Sequence, residues 1–122
     1  MKEQIVNFET GKLAGDNGFL KEWCNLAYSA DDQKLYMDTG SYTDYPAPTQ
    51  SLLQKWLREV HDIEILVYNS YYYKTGRKYY VDILFVEKGD LKTFTAKLTF
   101  DFYEEALEKG LQYALERINQ QT

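Results

Sequence analysis

The sequence predicts an α+β fold in which two main helices cover one face of an antiparallel sheet of three or more strands. Two segments carry apolar residues at helical spacing, and the segments between them are rich in β-branched and aromatic residues and are separated by glycine-containing turns. A chain of 122 residues with 44% hydrophobic content fits one α+β domain, residues 1–122, with a sizeable core.

The N-terminal residues predict only short elements. Residues 5–8 are interpreted as a short strand. Thr10 is expected to cap a helix of one or two turns that continues through Ala14, although the glycines within it weaken it. Gly18 supplies a stop signal, because glycine readily adopts the left-handed conformation in which helices commonly end.

Residues 24–48 predict two more strands and a loop. Residues 24–28 and 34–38 are extended runs, joined by a turn at residues 29–32 that contains serine and two aspartates. Residues 39–48 contain both prolines of the chain together with glycine and aspartate, so they are interpreted as a loop.

The segment TQSLLQKWLREVHD, residues 49–62, predicts a strong helix that begins at Thr49. Its apolar residues recur at helical spacing and are expected to pack into the core. This stripe consists of Leu52, Leu53, Trp56, Leu57 and Val60. His61 lies at the end of the helix, where a cation interacts favourably with the helix dipole, and that is its expected role.

Residues 63–73 and 79–86 predict the strands of a hairpin around the sequence YKTG. Gly76 is expected to be left-handed in a bulged three-residue turn, which would pair Tyr73 with Arg77. Odd-numbered residues then share one face and even-numbered residues the other. The predicted inner face is Ile63, Ile65, Val67, Val81, Ile83 and Phe85. The predicted outer face is Glu64, Leu66, Tyr68, Ser70, Tyr72, Lys78, Tyr80, Asp82 and Leu84.

A third strand and a final helix are predicted for the remaining residues. After a turn at Gly89 and Asp90, residues 91–100 alternate in polarity, with Phe94, Ala96, Leu98 and Phe100 expected to point inward. The helix is expected to begin at Asp101, with Glu104 completing a capping box. Its predicted buried stripe is Leu107, Leu111, Ala114, Leu115 and Ile118.

The charge and the cysteine content exclude several classes of protein. The net charge of −5 disfavours general binding to a polyanion, because phosphate neutralisation supplies much of such affinity. No apolar run approaches the roughly 20 residues that span a bilayer, so no membrane association is expected. Cys24 is the only cysteine, which precludes an internal disulfide. Together with the absence of an apolar signal core, this predicts a cytoplasmic location.

No catalytic motif is evident, so the chain is predicted not to be an enzyme and to need no cofactor or metal. His61 is the only histidine, and zinc-type sites require several histidine or cysteine ligands. A nucleophilic pair of Cys24 and His61 stays open, although a structural cysteine is the commoner case. The acidic pairs at residues 31–32 and 104–105 suit a turn and a helix start, which leaves a small hydrolase as the third-ranked reading.

The hairpin carries the best candidate site, which consists of Tyr68, Tyr72, Arg77, Lys78 and Tyr80. Tyrosine offers a large rigid contact area and a polar hydroxyl, so a protein partner or self-association is the leading hypothesis. The alternative is a nucleotide or nucleic acid that stacks on the tyrosines and is held by the two cations. A purely structural explanation also exists, since tyrosine is a strong strand former on half-exposed faces.

Three segments, FETGKLAGDNGF (residues 8–19), APTQSLLQKWLREVH (residues 47–61) and YEEALEKGLQYAL (residues 103–115), carry a resemblance to a known family. Together they are similar to a family of short uncharacterised proteins common in gut Bacteroidetes and in their phages and prophages. The middle segment is the most specific. The resemblance implies a small cytosolic accessory protein of a mobile element, one that binds a host component or sequesters a small signal, and it supplies no catalytic residues.

Overall fold

A computed structural model describes residues 3–37, 44–74 and 76–120, with the backbone alone at Tyr72, Asn119 and Gln120. These residues form three α-helices and two three-stranded antiparallel sheets, which confirms the α+β prediction. Half of the predicted loop at residues 39–48, namely residues 39–43, lies outside the described residues.

The helices and strands occupy the following residue ranges. The helices are α1 (Phe8–Asp16), α2 (Gln50–His61) and α3 (Tyr103–Gln120), with a 3-10 turn at Lys21–Trp23. The strands are β1 (Leu26–Tyr28), β2 (Leu35–Met37), β3 (Tyr45–Pro46), β4 (Glu64–Tyr72), β5 (Gly76–Glu87) and β6 (Asp90–Thr95). The small sheet has the order β2-β1-β3, and the large sheet has the order β4-β5-β6.

The core lies between the large sheet and the helices. Helix α3 packs against β4 and β5, while α2 packs against β4 and α3. The sheet contributes the predicted inner face, of which Ile63, Ile65, Val81, Ile83 and Phe85 are buried. The helices contribute Leu53, Trp56 and Leu57 of α2 and Ala106, Leu107, Leu111, Ala114 and Leu115 of α3. The predicted division of the hairpin into two faces is therefore confirmed.

The hairpin register differs from the predicted one by two residues. Tyr71, rather than Tyr73, lies opposite Arg77, and Tyr72 pairs with Gly76. Gly76 has the expected positive φ of 75°. A shift of two residues leaves every side chain on the same face, so the hydrophobic pattern cannot distinguish these registers. Only the conformation of the turn decides between them.

The prediction of a continuous third strand to Phe100 is wrong. Strand β6 ends at Thr95, after which the Ala96 amide donates to the carbonyl oxygen of Val81. Phe100 rejoins the sheet in an isolated bridge to Tyr79. Three residues, 97–99, thus lie opposite the single residue Tyr80, and such an insertion bends a strand outward. Leu98, predicted to point inward, is 56% exposed as a result.

Helix α2 begins as predicted, but its apolar stripe is wider than the core. Thr49 is the N-cap, and its side chain accepts a hydrogen bond from the amide of Leu52. Leu52 and Val60 are 36% and 61% exposed, contrary to the expectation that the whole stripe is buried. The packed side of the helix is the one that carries Leu53 and Leu57, which are fully buried.

Helix α3 begins at Tyr103, one residue later than a capping box with Asp101 as N-cap requires. The carboxylate of Asp101 forms an ion pair with Lys78 of β5 instead of capping the helix. A long-range partner of opposite charge has displaced the local capping interaction, which the sequence spacing alone favoured.

Helix α1 is longer than predicted and begins before Thr10. Asn7 is its N-cap and accepts a hydrogen bond from the Thr10 amide, while Gly18 follows the helix with the expected positive φ of 98°. The predicted strand does not form at residues 5–8; Ile5 makes one isolated bridge to Thr49. Pro46, predicted to be in a loop, pairs with Ala27 at the edge of the small sheet. Proline suits an edge strand, because it lacks an amide donor.

Candidate functional site

The outer face of the large sheet carries a pair of stacked tyrosines. Tyr68 of β4 and Tyr80 of β5 are directly opposite each other in the register. Their rings are stacked with centroids 5.4 Å apart and an interplanar angle of 14°. Leu66 and Tyr68 are 45% and 43% exposed, so this face is open to solvent. We call the surface formed by Leu66, Tyr68, Lys78, Tyr80, Asp82 and Leu84 the tyrosine face.

Polar contacts hold the side chains at the rim of the tyrosine face. The Tyr68 hydroxyl lies 3.4 Å from a carboxylate oxygen of Asp82. Partial burial and the neighbouring Asp82 carboxylate raise the pKa of Tyr68 above its ordinary value of 10.0. The hydroxyl is therefore neutral near pH 7 and acts as a hydrogen-bond donor. Lys78 at the other end is held by its ion pair with Asp101.

The structure brings together three of the five predicted site residues. Tyr68, Tyr80 and Lys78 share the tyrosine face, and the backbone of Tyr72 continues it toward the turn. Arg77 is odd-numbered and lies opposite Tyr71, so it belongs to the other face of the sheet. The alternation of strand residues could have shown this separation from the sequence, had it been applied to Arg77.

The two residues of the predicted nucleophilic pair have different surroundings. Cys24 lines a small groove of about 190 Å³ with residues of β1 and the start of α2, and His61 does not line that groove. The His61 and Trp56 rings meet edge to face with their centroids 4.6 Å apart. Its Nε2 atom is buried without a hydrogen-bond partner among the described residues.

Burial lowers the pKa of His61 below its ordinary value of 6.5. The neutral imidazole is therefore favoured over the cation that was expected to interact with the helix dipole at the end of α2. Asp62, with a φ of 56°, occupies the C-cap position of the helix instead.

Two other clefts lie beside α3. One, of about 380 Å³, lies between the β5–β6 pair and α3 and is floored by Phe85, Phe94 and Tyr113. Its rim charges alternate in sign, and Arg117 is already engaged by the Phe85 ring and by Glu87. The other, of about 350 Å³, surrounds Glu108 of α3. The Glu108 carboxylate accepts hydrogen bonds from residues at the starts of α1 and α2. Both arrangements have a structural explanation in the packing of α3.

Residues 3–37, 44–74 and 76–120 contain no group of three or more histidine, cysteine or acidic side chains placed to hold a metal ion. Within the same ranges, no helix has the length and apolar character that crossing a bilayer requires.

Comparison with known proteins gives no relative. No protein-family model, curated protein sequence or solved structure matches this chain. The geometry of the tyrosine face is therefore the basis for a functional assignment.

Proposed function

We propose that this protein is a non-enzymatic binding module that holds a protein partner on the tyrosine face. The observation that carries the proposal is the stacked pair of Tyr68, which is exposed, and Tyr80, which is partly buried, beside the exposed Leu66. Paired aromatic rings on a sheet lose little conformational freedom on binding, because the strands and the stacking already fix them. Exposed tyrosine and leucine side chains also release water from apolar surface when a partner covers them.

The charges around the tyrosine face favour a protein over a nucleic acid. Asp82 places a carboxylate beside Tyr68, where it repels phosphate. Lys78 is neutralised by Asp101, and Arg77 is on the opposite face. The two tyrosine rings contact each other, so a base can stack only on the outside of the pair. A nucleotide would therefore have only the outside of the tyrosine pair to stack on and little positive charge to hold its phosphates.

An affinity-capture experiment with matched tyrosine variants tests the proposal. Immobilised wild-type protein is compared with a Tyr68→Ser/Tyr80→Ser double variant and with Tyr71→Ser, whose tyrosine is on the same strand but faces the other way. We expect a defined protein to bind the wild type and Tyr71→Ser and to be lost with the double variant. Capture of identical proteins by all three forms would contradict the proposal.

A parallel titration separates the nucleotide alternative. Single-stranded oligonucleotides and ATP are titrated at low salt into the wild type and into Arg77→Ala/Lys78→Ala. Binding that weakens with salt and with the double substitution would support the alternative. We expect no binding beyond the level of a neutral control protein.

The resemblance noted in the sequence would give this module a biological setting. An accessory protein of a mobile element that binds a host component, or sequesters a small signal, needs a binding surface and no catalytic centre. This setting is part of the proposal, and the identity of the captured protein tests it directly.

A further inference from the structure

A row of aromatic rings runs from the 3-10 turn at Lys21–Trp23 to the end of α2. The Trp23 and Phe19 rings meet edge to face with their centroids 5.1 Å apart. Phe19 meets Trp56 in the same way, with a centroid distance of 5.3 Å. Trp56 in turn contacts His61 at 4.6 Å. Trp23 is 49% exposed although these contacts fix its orientation. Exposed tryptophan that is already held in place is typical of the residues that dominate interface energies.

Phe19, Trp23 and Trp56 line a shallow apolar groove along α2. The groove has a volume of about 280 Å³, and α2 lines it with Leu52, Lys55, Trp56, Glu59 and Val60. Leu52 and Val60 are the two residues of the predicted α2 stripe that the fold leaves exposed. We call this surface the α2 groove.

The apolar residues that line the α2 groove are spaced symmetrically along the helix. Leu52 and Val60 are each four residues from Trp56, one before it and one after it. When a second α2 lies antiparallel, with a two-fold axis at Trp56, Leu52 of each helix faces Val60 of the other. A two-fold interface requires such self-complementarity, since the same patch forms both sides.

The α2 groove also carries one charge of each sign. Lys55 and Glu59 line it together, one on each side of the two-fold position. In the antiparallel pair, Lys55 of one copy lies about 3 Å along the axis from Glu59 of the other, at 1.5 Å rise per residue. Both side chains are long enough to span that offset. Two symmetry-related ion pairs therefore flank the apolar centre.

We propose that the α2 groove binds a second copy of this chain through antiparallel α2 helices. The dimer keeps the tyrosine face free, because α2 packs on the inner side of the large sheet. Each dimer would thus present two tyrosine faces, which increases the avidity for a multivalent partner. The proposal does not depend on the proposed function, since the two surfaces share no residue.

A charge-exchange experiment tests this dimer. Sedimentation equilibrium is measured for the wild type, for Lys55→Glu, for Glu59→Lys and for an equimolar mixture of the two variants. We expect each single variant to dimerise about tenfold more weakly than the wild type, because two attractive pairs become repulsive. The mixture should recover the dimer as a heterodimer, since every cross-helix pair is again of opposite sign.

An apolar substitution with a matched control completes the test. Val60→Asp should abolish the dimer, whereas Val86→Asp, which replaces an exposed valine on β5, should leave it unchanged. Circular dichroism establishes that all variants are folded. A wild type that is monomeric at its highest attainable concentration would overturn the proposal. So would a dimer that is insensitive to Val60→Asp, or single charge variants that do not recover association when mixed.

Discussion

Three glycines mark positions where a helix approaches another element too closely for a side chain. At Gly11 and Gly15 of α1, an added Cβ would overlap Pro46 of β3. At Gly110 of α3, an added Cβ would lie 2.6 Å from Val81 Cγ2 and 2.8 Å from Ile65 Cγ2. Glycine weakens an isolated helix, so these residues have a packing role that local propensity does not reveal.

Gly110→Ala is expected to destabilise the protein by about 1–3 kcal/mol. The overpacking against Val81 exceeds the gain of about 1 kcal/mol that alanine brings to a helix. The measurement is urea unfolding of Gly110→Ala, Val81→Ala and the double variant. The double variant should be less destabilised than the sum of the two single variants, because the shorter Val81 side chain makes room for the new methyl group. Additive losses would show that the contact with Val81 is not the cause.

His61 is expected to make stability depend on pH in the mildly acidic range. Its folded-state pKa lies below the ordinary 6.5, so the unfolded chain binds the proton more tightly than the folded chain. The contribution is complete above the unfolded-state pKa and is lost as the pH falls toward the folded-state pKa. Unfolding free energies of the wild type and His61→Gln, measured between about pH 7.5 and pH 5, should therefore fall more steeply for the wild type. Equal slopes would contradict this expectation.

The candidate site residues were only partly predictable from the sequence. Strand alternation placed Tyr68 and Tyr80 on one face whichever of the two registers formed, because both registers keep the same parity. The stacking of the two rings depended on their being directly opposite. The predicted register would have set Tyr80 against Ser70, so the pair itself required the structure.

At the scale of elements, one carboxylate joins the three helices. Glu108 of α3 accepts hydrogen bonds from the Asn7 amide at 3.0 Å and from the Thr10 hydroxyl, both at the start of α1. Its other oxygen accepts from the Gln50 side chain of α2 at 3.0 Å. Thr10 and Gln50 are buried, and Glu108 is the charged acceptor for both, beside the neutral oxygens of Asn7 and of the Glu104 backbone. Nothing in the local sequence around Glu108 distinguishes it from the exposed acids of the same helix.

Glu108→Ala is expected to destabilise the protein by about 2 kcal/mol or more, because it leaves buried donors without their charged acceptor. Glu116→Ala, at an exposed position of α3, serves as the control and should change stability by less than about 0.5 kcal/mol. Chemical denaturation of both variants checks the expectation. Similar losses in the two variants would mean that the Glu108 contacts contribute no more than a surface charge.

Element boundaries followed the sequence where they depend on local interactions. Thr49 caps α2 as predicted, because its hydroxyl needs only the amide three residues later. Asp101 offers a similar local signal, yet Lys78, distant in sequence, engages its carboxylate. The bulge at residues 97–99 likewise reflects how β6 must rejoin β5, for which the alternating polarity gave no sign.

Across the whole molecule, the two sheets differ in how firmly they are held. The large sheet has long strands and supplies the inner face of the core. The small sheet pairs strands of two or three residues. Hydrogen exchange should therefore be slowest at Val81 and Ile83 and much faster at Leu35 and Met37. Mass spectrometry or NMR can measure this order, and equal protection of the two sheets would be evidence against it.

The sequence by itself determined the α+β class, the two main helices and the two faces of the hairpin. These features follow from periodicity, which is a local property of the chain. Only the tertiary structure decided the hairpin register, the end of β6, the exposure of Leu52 and Val60 and the contacts of Glu108. Each of these depends on which distant groups meet, and the energies that choose between such arrangements are not encoded in any short stretch of residues.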